Sequence, residues 1–152
     1  KNQFNVPHGK YKNPTILNED NLLNVSKLLA NVKIMQGDFT NIREFIDEET
    51  FVYFDPPYRP LNTTSSFTSY SNNNFDDCEQ HRLADFLKEL HVKKAKLMLS
   101  NSDPKNTAKD DDFFNDIYSK EIFNIKSVEA KRVINSKSNR RGKITELLIT
   151  NY

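Results

Sequence analysis

The chain has 152 residues, with 22 Lys and Arg against 21 Asp and Glu. That length is one domain with room for a core, and the charge balance excludes a global basic field, so any nucleic-acid footprint has to be local. One cysteine and three glycines exclude an internal disulfide framework and a Gly-rich phosphate loop, and suit a reducing cytoplasm; no leader or long apolar run is present, so a soluble chain without a membrane partner is expected.

Residues 1–14, KNQFNVPHGKYKNP, are polar and basic with interspersed aromatics and prolines, the composition of a loop or ragged hairpin. Asn18 or Asp20 then caps a helix running to about Asn31, with Leu22, Leu23, Leu28 and Leu29 expected to face inward. VKIMQ at 32–36 reads as a strand closed by Gly37-Asp38-Phe39. A short helix with Ile42, Phe45 and Ile46 leads to a second, buried strand, FVYF at 51–54. Residues 59–75, rich in Ser, Thr and Asn, predict a loop. Asp76 or Asp77 caps the next helix, which carries Leu83, Phe86, Leu87 and Leu90 on one side. AKLMLSN at 95–101 is a third strand, followed by a short helix around Phe113, Phe114 and Ile117. Two extended segments, about 121–134 and 144–151, are joined by NSKSNRRGK and predict an antiparallel hairpin. The alternation predicts an α/β sheet, mostly parallel, with a reversed strand at the end.

The FVYF strand runs directly into Asp55-Pro56-Pro57-Tyr58. In open α/β sheets, ligands bind beyond the carboxyl ends of strands. Proline fixes φ and lacks an N–H, so Pro56 and Pro57 end the ladder and leave a stiff turn that presents acceptors. Those acceptors are the Asp55 carboxylate and the Pro56 carbonyl, with the Tyr58 ring beside them. Such a set suits a planar ligand with an exocyclic amino group. Holding both amine hydrogens favours a pyramidal nitrogen able to attack an electrophilic methyl, and fixed dipoles stabilise the charge that develops. The plain alternative is a strand-ending turn with a chance PxxP from Pro57 to Pro60. A linear PxxP ligand belongs in an unfolded stretch, and the exact tetrapeptide arises by chance on the order of once in a thousand chains of this length.

With these residues the chain resembles the DNA adenine-N6 methyltransferases of the Dam type, the GATC-methylating members of the D12 class. The blocks FNVPHGKYKNP, GDF, DPPYRPL, TSSFTSY, LMLSN and RRGKITELLITNY stand in family order over nearly the whole chain. The resemblance implies part of a Rossmann-like class I methyltransferase fold with a C-terminal antiparallel hairpin. It implies a catalytic role for Asp55, Pro56 and Tyr58, and contacts to S-adenosylmethionine from Asp38, Phe39 and Asp55. Residues 1–17 are similar to the remainder of a target-recognition segment, and 18–152 to the carboxyl-terminal part of the catalytic domain. Phe4, Pro7, Lys10, Tyr11 and Lys12 would then face double-stranded DNA, and Lys137, Arg140, Arg141 and Lys143 its phosphates; a solvated basic loop is the alternative for each set. Phe67 and Tyr70 resemble the segment that closes over a flipped base. Ser100 and Asn101 line the same rim or simply cap the next turn. His8, His81 and His91 lack ligand spacing, so no metal is expected.

The family's lysine-containing block, its Phe-x-Gly-Gly-type donor loop and the acidic ribose residue have no counterpart here. The expectation is a carboxyl-terminal portion whose partner is the amino-terminal part of the same enzyme. The sheet would then have a gap between VKIMQ and FVYF, relieved by self-association or by that partner. Other readings are a methyltransferase acting on RNA adenine or a protein glutamine amide, and a non-catalytic DNA-binding remnant.

Overall fold

The computed structural model describes residues 16–61, 75–131 and 143–152, the side chains of residues 131 and 143 excepted. The chain divides into two compact units, Lys1–Asp38 and Phe39–Tyr152. In the first, helix α1 (Glu19–Leu29) starts at Asn18, whose side chain accepts the Asn21 N–H at 3.0 Å. Glu19 and Asp20 in its first turn and Lys27 in its last complement the helix dipole. The expected inward face is corrected. None of α1 is buried, and Leu22, Leu23, Leu28 and Leu29 are all exposed, so the apolar stripe that the periodicity predicts packs on no described element. The expected 32–36 strand is also corrected: the segment forms no strand, and Val32, Ile34 and Met35 are exposed. A strand needs a neighbour to take its backbone N–H and C=O groups, and none of the described strands pairs with this segment.

The second unit opens with a 3-10 turn, Phe39–Phe45. Strand β1 (Phe51–Phe54), helix α2 (Asp77–Val92), strand β2 (Lys96–Ser102), the short helix α3 (Phe113–Ile117) and strands β3 (Asn124–Lys131) and β4 (Lys143–Thr150) follow. Asp76 caps α2 by accepting the Cys78 and Glu79 N–H groups. The sheet order is β1-β2-β4-β3. β1 and β2 are parallel, with Phe54 opposite Leu99; β2 with β4 and β3 with β4 are antiparallel. The sheet is therefore mixed, and most of its pairings are antiparallel rather than parallel. A parallel pair needs a crossover element, and α2 is the one such crossover among the described residues. The terminal hairpin forms as expected, and its second strand inserts beside β2.

One face of this sheet packs on α2. Val52, Phe54, Leu97, Leu99, Leu147 and Ile149 join Leu83, Ala84, Phe86, Leu87 and Leu90 of the helix in one core. The sheet alternates, so Phe51 and Tyr53 turn to the opposite face and stay 54% and 53% exposed. The expectation of a buried FVYF strand is thus half right. At its carboxyl end β2 changes character: Ser100, Asn101, Ser102 and the following Asp103 are all buried. Four consecutive buried polar residues are tolerated only when each is hydrogen-bonded. Asp103 meets that demand through the hairpin, accepting from Ser127 Oγ at 2.9 Å and Thr145 Oγ1 at 2.7 Å.

Truncation at the centre of the core should be severe and truncation on α1 should not. Leu87→Ala is expected to cost about 2–5 kcal/mol, and Leu28→Ala within about 0.5 kcal/mol of zero. Urea unfolding followed by circular dichroism measures both. An equal response would mean that the leucines of α1 are covered.

Candidate active site

Parallel pairing brings the carboxyl ends of β1 and β2 to one rim. Tyr53 and Asp55 lie two residues apart on extended chain and so share a face. The Phe54–Leu99 register sets Ser100 level with Asp55. Ser100 Oγ donates to Asp55 Oδ1 at 3.0 Å and lies 2.9 Å from the Tyr53 hydroxyl. The carboxylate is exposed, yet one oxygen is fixed by a buried serine. That leaves the other oxygen free of the Ser100 bond.

The loop beyond Asp55 cannot hold itself. Pro56 and Pro57 bring no N–H, so the fixing bonds come from underneath. Gln80 Nε2 donates to the Pro57 carbonyl at 3.1 Å. Asn101 Nδ2 donates to Gln80 Oε1 at 3.1 Å, and Asn101 Oδ1 accepts the Arg59 N–H at 3.0 Å and the Ser102 N–H at 2.9 Å. Ser102 Oγ donates to the Arg59 carbonyl at 2.7 Å. Both peptide groups flanking Tyr58 are thereby tied to α2 and β2. Outside the loop, the Arg59 guanidinium bridges Asp77 and Asp111, each at 2.8 Å, and lies 4.1 Å above the Phe113 ring. Planar stacking combined with a two-carboxylate fork is something arginine does and lysine does not.

Tyr58 itself is half-buried. Its hydroxyl points at Glu146 Oε2 on β4, 3.5 Å away, the long end of a hydrogen bond. Burial is the main cause that pushes its phenol above the usual tyrosine range; Ser100 opposes the shift, and the Glu146 and Asp55 charges add to it. The ring is therefore a neutral, oriented plate at physiological pH. A carboxylate held by Ser100, the Pro56 carbonyl and a flat ring whose flanking peptides are held from below can accept the two hydrogens of an aromatic amine while its ring stacks.

Of the residues singled out in the sequence, Asp55, Pro56 and Tyr58 stand together on this rim, with Ser100 and Asn101 beneath. Asp38 ends the first unit and Phe39 begins the second. The Phe39 ring packs on Phe75 and Phe86, with the Arg82 guanidinium 4.1 Å above it. Phe86 in turn meets Phe54 edge-on, so an aromatic row ends one residue before Asp55. Phe4, Pro7, Lys10, Tyr11, Lys12, Phe67, Tyr70, Lys137, Arg140 and Arg141 lie outside the described residues, as does the Lys143 side chain at the start of β4. Sequence reasoning missed Gln80, Arg59, Tyr53 and Glu146. Gln80 left a signal. It sits three and four residues before Leu83 and Ala84, a polar side chain on the buried stripe of α2.

The profile of the D12 class N6 adenine-specific DNA methyltransferase family matches residues 1–134. The chain is 58% identical over its whole length to a type II methyltransferase, M.MjaIII, of Methanocaldococcus jannaschii, covering 50% of that protein. It is 45% identical over its whole length to the type II methyltransferase M1.LlaDCHI of Lactococcus lactis subsp. cremoris, covering 51%. Over 97% of its length it is 34% identical to a DNA adenine methylase of Haemophilus influenzae, covering 49%. The chain thus spans about half the length of the curated relatives it matches.

The outer clamp on the loop should be acid-labile. The hydrogen bond from Arg59 is the main cause holding the Asp111 carboxyl below its ordinary range. A depressed folded value means that the pair stabilises fully above the unfolded value of about 3.9, and that this is lost as pH falls through the folded value. Asp111→Asn is therefore expected to be less stable than the parent near pH 7, with the gap closing in acid. Urea midpoints measured across pH test this; a gap constant with pH would show that charge does not hold the clamp.

Proposed function

The chain belongs to the D12 class of N6 adenine-specific DNA methyltransferases, and from that premise we propose that it presents the amino group of adenine in duplex GATC for methylation, as the acceptor-binding portion of a modification enzyme. Two of the relatives are named type II methyltransferases, which supports a place in restriction-modification. The observation that carries the reading is the fixed acceptor set at the end of β1. Ser100 orients Asp55 from one side, and the Gln80–Asn101 pair fixes the backbone around Tyr58 from below.

An adenine N6 is a weak nucleophile because its lone pair is delocalised into the ring. Asp55 and the Pro56 carbonyl each accept one N–H, which draws the lone pair back onto nitrogen. The base stacks on Tyr58, a contact that typically contributes about 1–3 kcal/mol per base. To reach this rim the adenine must leave the duplex stack, as bases do wherever chemistry is performed on them. S-adenosylmethionine, when bound, supplies the electrophilic methyl group on a sulfonium. The charge of the site fits such a cation: Asp55 is exposed, and the guanidinium four residues along is already engaged by Asp77 and Asp111. Asp38, Phe39 and Asp55 are the residues proposed to contact that donor. DNA contacts fall to Phe4, Pro7, Lys10, Tyr11 and Lys12, with Lys137, Arg140, Arg141 and Lys143 on phosphates. Turnover is proposed for a complete enzyme that contains this chain, which spans about half the length of the relatives it matches.

In the complete enzyme, Asp55→Ala should slow single-turnover methylation of a GATC duplex by about 10²–10³-fold, and near-normal methylation would overturn the assignment. A scrambled duplex should be methylated far more slowly than GATC; equal rates would remove the sequence specificity from the proposal. With 2-aminopurine at the target position, fluorescence should rise on binding and rise further in Tyr58→Ala, where the quenching ring is gone. An unchanged signal in both proteins would argue against flipping.

A further inference from the structure

The most heavily buried polar side chains of the second unit are Gln80 and Asn101, both 0% exposed. A buried primary amide pair in an otherwise apolar layer is costly unless every group is matched, at about 1–3 kcal/mol for each unmatched one. Leucines fill the equivalent positions elsewhere on these faces: Leu83 and Leu87 on α2, Leu97 and Leu99 on β2. Hydrophobic packing alone would be met by the same kind of residue here. The amides instead form a directional chain, Asn101 to Gln80 to the Pro57 carbonyl, and the second end of Asn101 takes the Arg59 N–H. Its two ends grip residues 57 and 59 and leave Tyr58 between them.

We propose that Gln80 and Asn101 are positioning residues for the methyl acceptor: the amide pair sets the height and tilt of the 56–59 turn, and through it where Tyr58 and the Pro56 carbonyl meet the target base. The inference rests on the reading of this turn as the adenine site. Neither amide touches the base. Asn101 Nδ2 and both atoms of the Gln80 amide are used internally, and Asn101 Oδ1 accepts two backbone N–H groups. Their effect is on alignment. A misplacement of about 1 Å by a residue remote from the chemistry can cost on the order of 10²-fold in rate.

The test uses the complete gene product carrying this chain, with single-turnover methylation of a GATC duplex at saturating donor and DNA. Gln80→Glu keeps the acceptor for Asn101 and loses the donor to Pro57; Gln80→Met keeps the volume and loses both. The rate constant should fall by about 10–100-fold in each, while the KM values for donor and duplex stay within about twofold and donor-binding stoichiometry is unchanged. A residue that served only stability would lower the amount of competent protein and leave the rate per donor site intact. Rate constants per donor site equal to the parent's in both variants would overturn the inference. So would a parallel rise in both KM values that accounted for the loss. A parent protein that transfers no methyl to adenine would instead overturn the functional reading on which the inference rests.

Discussion

Two adjacent prolines deprive a four-residue turn of half its backbone donors, and much of the second unit answers that deficit. A turn of ordinary residues closes with its own N–H and C=O groups. This one cannot, so the Pro57 carbonyl and the Arg59 amide are satisfied by side chains from two other elements. A glutamine must therefore lie on the inner face of α2, and an asparagine must follow the apolar part of β2. The parallel pairing of β1 and β2 is what brings those partners within reach, and α2 is the crossover that makes the pairing possible.

The polar end of β2 then serves both sides of the sheet. Ser100 holds the Asp55 carboxylate, Asn101 and Ser102 hold the loop, and Asp103 ties down the hairpin through Ser127 and Thr145. Ser100, Asn101, Ser102 and Asp103 are buried, and removing Asn101 would strand the Gln80 amide in a site where water does not replace it easily. The rigidity has a chemical use. Acceptors that must draw electron density onto a nitrogen are most effective when they need not reorganise as the charge develops.

How much of this the sequence announces depends on whether the information is local. The α2 helix with its Asp76 cap, the terminal hairpin and the strands β1 and β2 follow from periodicity, capping and turn chemistry, all of which act over a few residues. The stretch 32–36 has the composition of a strand and is not one, since a strand needs a paired neighbour and none of the described strands pairs with it. The parallel character was overestimated for a related reason: hairpin strands and crossover strands look alike until their order is known. At the site, Asp55 to Tyr58 stood out because the sequence there breaks the rules of an ordinary strand. Asn101 looked as much like the start of a turn as part of a site, and Gln80 like a tolerated polar residue on a helix. Their role exists only once α2 and β2 are side by side. Arg59 was hidden in a loop whose partners lie 18 and 52 residues away.

Nearly every group that supports the turn belongs to one continuous piece of chain, from Tyr53 through Asp77, Gln80 and Ser100–Ser102 to Asp111, with Glu146 the outlying contact. Among the described residues, the side chains that fix Asp55 and the backbone around Tyr58 come from α2 and β2. In modular terms, the proposed acceptor site is a self-braced cassette. Segments that bind the methyl donor or read the DNA could be relocated along a gene, before the cassette or after it, without disturbing the bonds that shape it. Motif order along the chain and motif geometry in space are, for this site, independent variables.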